Sequence, residues 1–578
     1  MQPIRQTADT WEGSVVTKAF SLRRLIRLSG HRIEVQDTLT NLSDMDLGWM
    51  IRNELALPSE ATRSQNIHLG GDSRTNPSPV YATVIKAGGR IGGIDCWRPA
   101  NPTVYVPFSD CGLGMVIEDD VMRVHGLSYY RTTNKGDLIV GFRDEQFALA
   151  PGCQYTTRWA AYVIPGPNKD YYDFINQVRA DWKVNDIRIP GPTIWSTCFT
   201  TNRKMPDEEI QKRLRSSGAW AIATSLGGWV CDYEGLDDTK GADKRQVGFG
   251  AGVLDPCFAR LRELWAQDAK RVHQLAPAIK VLHYFHLFLN DPERDPSAFQ
   301  DSRITRSDGR NMIVGWGNLR LTPSNGVFPT LTNTMGREML KVFDMMRSQM
   351  GGDGIYLDEV NYPTGIGWMG SPPFTYSQWD GHSAVLDPVT FAIARKTGYL
   401  QLLSADYKKM LFDLIATRGG VIVGNGEPDT AWENALKFPR HTECRTDPYP
   451  RAYESHLYTP ICLVEDTSMS HRRNLLKYGV IDCFVLRSDK SFKQEAVIRK
   501  SFPLTVQEIH SGWIKGAERI ITMLPGSYTW GESARATILE FGSDGSLVGS
   551  RDVASPTGFF DVAIPPDGMT IIERTTTP

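Results

Sequence analysis

Between residues 10 and 164 apolar and polar side chains alternate in short runs separated by turn residues. Residues 30–39, Gly-His-Arg-Ile-Glu-Val-Gln-Asp-Thr-Leu, carry the two-residue period of a half-buried strand, and the run breaks at Asn41-Leu42-Ser43-Asp44. Similar runs recur at residues 79–85, 103–107 and 138–142, with no long amphipathic helix among them. The pattern predicts an antiparallel β-sandwich over residues 1–165. Near residue 170 the period lengthens. Residues 170–184 read as helix, and Pro190-Gly191-Pro192 punctuates the chain, so residues 166–190 are expected to link two domains.

From residue 191 strands alternate with longer helices. A helix is predicted after Asp255 and Pro256, with Phe258, Leu261, Trp265, Ala269 and Val272 as its apolar stripe. Another is predicted over residues 334–350, with Met335, Met339, Val342, Phe343 and Met346 on one face. Between the helices lie seven strand candidates, residues 193–199, 219–229, 279–288, 354–360, 420–427, 460–466 and 479–485. This rhythm predicts a TIM (β/α)8 barrel over residues 191–516 rather than an open sheet, whose Gly-rich phosphate turn is missing. After residue 516 the two-residue alternation returns, with turns at Pro525-Gly526, Ser543-Asp544-Gly545 and Pro565-Pro566-Asp567-Gly568. Residues 517–578 are expected to form a small C-terminal β-sandwich.

In a parallel barrel the reactive groups stand at the C-terminal ends of the strands. Three predicted ends carry carboxylates: Asp358 and Glu359 after Gly354-Ile355-Tyr356-Leu357, Glu427 after Val423-Gly424-Asn425-Gly426, and Glu465 after Cys462-Leu463-Val464. If the fourth strand continues, Asp358 and Glu359 point to opposite sides and at most one enters the mouth. Each also has an ordinary reading, as a salt-bridged strand end or a helix-capping glutamate. Carboxylates at several strand ends fit hydrolysis of a glycosidic bond, which uses two such groups. Trp195, Trp229, Tyr233, Tyr284, Trp316, Tyr362, Trp368 and Trp379 lie near predicted strand ends and loops, where rings can stack on sugars or fill core. Asp232, in Gly-Trp-Val-Cys-Asp-Tyr, and His283, in His-Tyr-Phe-His, add hydrogen-bonding groups. His283 and His286 are three apart on a strand and face opposite ways, so they are not a metal-chelating pair.

On these residues the chain resembles multidomain glycoside hydrolases of the α-galactosidase, α-amylase and endo-α-N-acetylgalactosaminidase type. Residues 32–44 are similar to the strand and turn segments of galactose-mutarotase-like sandwiches. Ile355-Tyr356-Leu357-Asp358 resembles the fourth barrel strand that ends in the nucleophilic aspartate of retaining enzymes. Val423-Gly424-Asn425-Gly426-Glu427 is similar to a fifth strand ending in the acid/base glutamate. The Asn-His-Asp of amylases and the double aspartate of α-galactosidases are missing. The resemblance implies a retaining hydrolase of α-linked sugars, with Asp358 as nucleophile and Glu427 as acid/base. Trp229, Asp232, His283, Glu359, Tyr362 and Glu465 would then line the substrate. Two rival readings stay open. One is a β-glycan hydrolase using Glu359 as acid/base and Glu465 as nucleophile, and the other is a carbohydrate-binding protein without turnover.

Composition narrows the partners. The 578 residues hold 64 Lys and Arg against 66 Asp and Glu, a formal charge of -2, which gives no electrostatic ground for expecting nucleic acid or an anionic membrane. No apolar run reaches the ~20 residues of a spanning helix. Nine dispersed cysteines form no CxxC pair, which predicts buried thiols rather than a disulfide framework or a zinc site, and no cofactor is expected. The chain opens without a charged and apolar leader. That leaves two expectations, a cytoplasmic protein or one whose leader and upstream sequence lie outside the given chain.

Overall fold

The computed structural model describes residues 1–57, 67–73, 82–86, 92–133, 136–195, 205–224, 249–290, 297–315, 323–361, 373–445, 447–449, 451–485 and 495–575. At its centre eight parallel strands close into a barrel in chain order. They are strand 1 (Thr193–Trp195), strand 2 (Ala221–Ala223), strand 3 (Lys280–His286), strand 4 (Gly354–Asp358), strand 5 (Val421–Asn425), strand 6 (Arg440–Glu443), strand 7 (Ile461–Val464) and strand 8 (Ile481–Val485). Strand 8 closes the ring by pairing Phe484 with Thr193 and Val485 with Ile194. Seven of the eight match the hydrophobic runs. Strand 6, Arg-His-Thr-Glu, has no apolar residue and leaves no hydrophobic signature.

The predicted helices form on their apolar stripes. Helix Ala259–Leu275 buries Leu261, Leu264, Trp265, Ala269 and Val272, and a 3-10 turn over Pro256–Phe258 delays its start beyond the expected cap. Helix Thr334–Ser348 is capped by the Asn333 side chain and buries its methionines in the same core as strands 3 and 4.

The N-terminal region is a sandwich of two eight-stranded sheets. Strand Arg32–Asn41 buries Val35, Asp37, Leu39 and Asn41 in the predicted alternation. Between the sheets pack Val35, Val104, Met115, Ile117, Val140, Phe142 and Trp159. One short helix, Asp120–His125, interrupts this β region.

The expected domain limits are crossed in three places. Residues 166–190 are no free linker: helix Tyr171–Asp181, closed by a reciprocal Asp170/Asp173 capping box, buries Tyr171, Phe174, Ile175, Val178 and Arg179 against the terminal sheet and barrel. Residues Arg188–Ile189 pair with strand Leu504–His510, so the terminal sheet begins before residue 517. Between barrel strands 4 and 5, hairpin Ser383–Leu386 and Ile393–Tyr399 leaves the barrel and joins the second N-terminal sheet. The terminal sheet has seven strands and packs a two-stranded ribbon, Gly526–Thr529 with Phe559–Val562, over Ile520, Ile538 and Ile572.

A buried clasp ties the hairpin to the sandwich. His125 Nδ1 lies 3.1 Å from Asp144 and Nε2 lies 2.7 Å from Ser383 Oγ. These are the residue types of a hydrolytic triad, but all three are at most 1% exposed. Ser383 donates its only proton to Asp380, so both His125 nitrogens donate and the ring is an imidazolium. Burial pulls its pKa down, and the charge and hydrogen bond of Asp144 overcome that and raise it.

Candidate active site

Within each barrel strand alternate residues face inward. At the C-terminal ends the inward series delivers Tyr284 and His286 from strand 3, Asp358 from strand 4, Asn425 from strand 5 and Glu443 from strand 6. Asp358 Oδ2 accepts from the Tyr284 hydroxyl at 2.6 Å and Oδ1 accepts from Asn425 Nδ2 at 2.6 Å. The same Nδ2 donates to Glu443 Oε1 at 2.8 Å. Two bonds to one nitrogen keep the Asp358 and Glu443 oxygens within about 5.4 Å of each other.

Glu359 joins them by an unexpected route. Strand 4 stops at Asp358, and Glu359 takes the left-handed conformation with φ 47°. The alternation that would have sent its side chain to the far side is broken, and its carboxylate accepts from His286 Nε2 at 3.0 Å. His286 Nδ1 in turn accepts from the backbone amides of Phe288 and Leu289 at 3.1 Å, which fixes the tautomer. Burial holds His286 near 4, so it is neutral at pH 7.

The three carboxyls are driven apart electrostatically. Burial, then the Glu359 charge, push Asp358 up to about 6. Burial and the Glu443 charge push Glu359 up to about 8. Burial also pushes Glu443 upward, but Arg445, the Asn425 amide and Arg451 outweigh it and hold Glu443 below the usual range. At pH 7 the cluster therefore keeps one proton, on Glu359.

The other expected residues separate. Glu427 is 4% exposed, and its carboxyl faces Arg440, Glu454, Asp429 and Arg179, none of which belongs to the Asp358 cluster. Gly426, at φ 110°, turns the chain out of strand 5 before Glu427. His283 is corrected from substrate ligand to wall residue. It faces outward and is fully buried, with Nδ1 on the Thr224 hydroxyl at 3.1 Å and Nε2 on the Met350 carbonyl at 3.2 Å. His286, three residues on, is the histidine at the mouth. Glu465 stands beyond Arg445, whose guanidinium is 3.0 Å from Glu443 and 3.9 Å from Glu465. Trp229, Asp232 and Tyr362 lie outside the described residues, as do Tyr233, Trp316 and Trp368. Of the remaining aromatics, Tyr284 serves Asp358 directly, while Trp379 donates to the Ser383 carbonyl in the hairpin. Glu443 carries no signal in the sequence, because strand 6 has no hydrophobic run to mark its end.

No group of three or more His, Cys, Asp or Glu side chains placed to hold a metal occurs among the described residues. No helix among them is long and apolar enough to cross a membrane. Six described cysteines are unpaired, with Cys96, Cys444, Cys462 and Cys483 buried as expected, and Cys153 exposed.

Solved structures share this fold. The GH36 alpha-galactosidase AgaA of Geobacillus stearothermophilus, solved in complex with raffinose, superposes with a TM-score of 0.50 over 98% of this chain and 83% of its own, at 11% identity. The alpha-galactosidase AgaB of the same organism gives 0.50 over 99% and 84%, also at 11% identity. This chain has the multidomain fold of these glycoside hydrolases, with β-sandwich, barrel and C-terminal β domain in the expected order. No protein-family model matches the sequence, and no curated protein does.

Proposed function

We propose that this chain is a glycoside hydrolase that cleaves α-linked sugars with retention, using Asp358 as nucleophile and Glu443, in place of the expected Glu427, as acid/base. The observation that carries the reading is the Asn425 amide shared by the two carboxylates. It keeps their nearest oxygens no more than about 5.4 Å apart, which supports the close pairing of retaining enzymes over the ~6.5–9.5 Å that admits an inverting water. A binding protein without turnover has no need of that spacing. The α preference rests on the fold shared with the alpha-galactosidases, an argument by analogy.

In this scheme Asp358 attacks the anomeric carbon while its second oxygen keeps the Tyr284 hydrogen bond. Glu443, ionised beside Arg445, suits the second half-reaction, in which it takes a proton from water. The first half needs a proton on the leaving oxygen: in this scheme Glu359 stores it and passes it to Glu443, which gives it to the leaving oxygen, and the proton Glu443 later takes from water restores Glu359. That protonation favours a second reading, in which Glu359 itself is the acid.

A panel of aryl α- and β-glycosides tests the function, with the product anomer read by NMR. Hydrolysis of an α-glycoside with retention is expected, and inversion or turnover of β-glycosides alone overturns the reading. With a good leaving group, Glu443→Gln should keep substantial activity and Asp358→Asn should lose it. If Glu359→Gln behaves as the acid variant and Glu443→Gln does not, the second reading replaces the first.

A further inference from the structure

The left-handed turn at Glu359 is held from behind the barrel wall. A residue of this size with φ 47° is strained, and such a conformation persists only where its surroundings over-determine it. Two bonds fasten the turn to the end of strand 5 and the segment after it: the Val360 amide donates to the Asn425 carbonyl at 2.9 Å, and Asn361 Nδ2 donates to the Glu427 carbonyl. The third comes from helix Ala405–Thr417, where Lys408 Nζ donates to Asn361 Oδ1 at 2.8 Å.

Lys408 is an unusual residue for that task, because its side chain and that of its partner Glu433 are both 0% exposed. Burying two charges is expensive, and a helix packing on a barrel strand is satisfied by an apolar side chain. Glu433 is itself fixed by the Asp429 amide at 3.0 Å and by Arg440 at 3.6 Å, and the Trp432 ring lies 5.5 Å from Nζ. The ammonium is held between the Glu433 carboxylate and the Asn361 amide oxygen, and donates to both.

We propose that Lys408 is a positioning residue of the active site: through Asn361 it holds the turn that carries Glu359, and so sets where the Glu359 carboxyl stands beside His286, Asp358 and Glu443. The proposal rests on reading this cluster as the reactive centre. Without the ammonium, the Asn361 oxygen loses its partner, the turn can relax toward negative φ, and the carboxyl swings away from His286.

The test removes both buried charges at once, Lys408→Met with Glu433→Gln, so that no orphan charge is left. Two quantities are read. The first is the titration of the Glu359 carboxyl by NMR of 13C-labelled glutamate, assigned by its loss in Glu359→Gln, which needs no turnover. The second is kcat and KM on an aryl α-glycoside. The Glu359 titration is expected to leave its position near 8 by about one pH unit or more. kcat should fall roughly 10–100-fold with KM within about twofold. Lys409→Met, one residue away and exposed, should change neither. A folded double variant whose Glu359 titrates as in the parent overturns the proposal. If the double variant does not fold, Asn361→Ala, which cuts this link together with the Asn361 bond to the Glu427 carbonyl and spares the ion pair, is read by the same two measurements, and an unchanged Glu359 titration there overturns the proposal. A moved titration in a protein that hydrolyses no glycoside leaves the positioning role standing and removes the proposed function.

Discussion

Asp358 and Glu443 come from strands 4 and 6, and Asn425 on strand 5 between them donates one nitrogen to both. Two carboxylates this close repel, and the amide is the dipole that lets them stay ionised together. Asn425→Ala should lower kcat/KM by roughly 100-fold while leaving the circular-dichroism melt almost unchanged. Unchanged kinetics would show that the spacing is held by the strands alone.

The pH profile follows from the two raised carboxyls. Asp358 must be ionised to attack, so kcat/KM should rise as pH passes about 6. The cluster must still hold its proton, so activity should fall as pH passes about 8. Glu359→Gln is expected to remove the alkaline limb and keep the acid one. A profile flat from pH 5 to 9 would contradict both assignments.

Glu427 offers a contrasting case. Burial raises its pKa well above the usual value, more than the nearby Arg440 and Arg179 charges lower it. In the unfolded chain it ionises near 4.5. Above that pH the folded state gives up ~1 kcal/mol per pH unit until the buried group also ionises. Glu427→Gln mimics the neutral form, and denaturant unfolding should find it as stable as the parent near pH 4.5 and more stable at pH 8, with activity kept. Loss of activity on poor leaving groups alone would return the acid/base role to Glu427.

These residues also show what the chain discloses in one dimension. Strand 4 was legible because four buried residues run straight into a carboxylate, and the alternation then fixes Asp358 inward. Strand 6 was not, because its inward positions are His441, which stacks on Tyr356, and Glu443, which shares the Asn425 amide, while Arg440 and Thr442 behind them bond the Gly426 carbonyl and Glu454. No position was left for an apolar side chain. The separation of Glu427 from the Asp358 cluster is not readable in the sequence, because a Gly-flanked carboxylate after a strand does not reveal its side, which one dihedral at Gly426 decides. His283 and His286 were correctly placed on opposite faces, but which face was inward needed the neighbouring strands.

The His125 clasp should respond to pH in the same sense as Glu427, over a window that opens at higher pH. Its folded pKa lies above the free value of 6.5, so its contribution is complete below about 6.5 and fades as pH rises through the folded value. Asp144→Asn is expected to cost about 1–3 kcal/mol at pH 6 by denaturant titration, and less at pH 9. An equal loss at both pH values would mean that the ring is neutral throughout.

The hairpin that the clasp secures has a consequence for biosynthesis. The second N-terminal sheet takes its outer strands from residues 374–399, so a ribosome must finish strand 4 of the barrel before the first module can be completed. Until then the edge at Phe147 waits for Ser383. The sandwich and barrel thus mature together, and a gene fragment cut at residue 165 would release a half-built sheet with an adhesive rim.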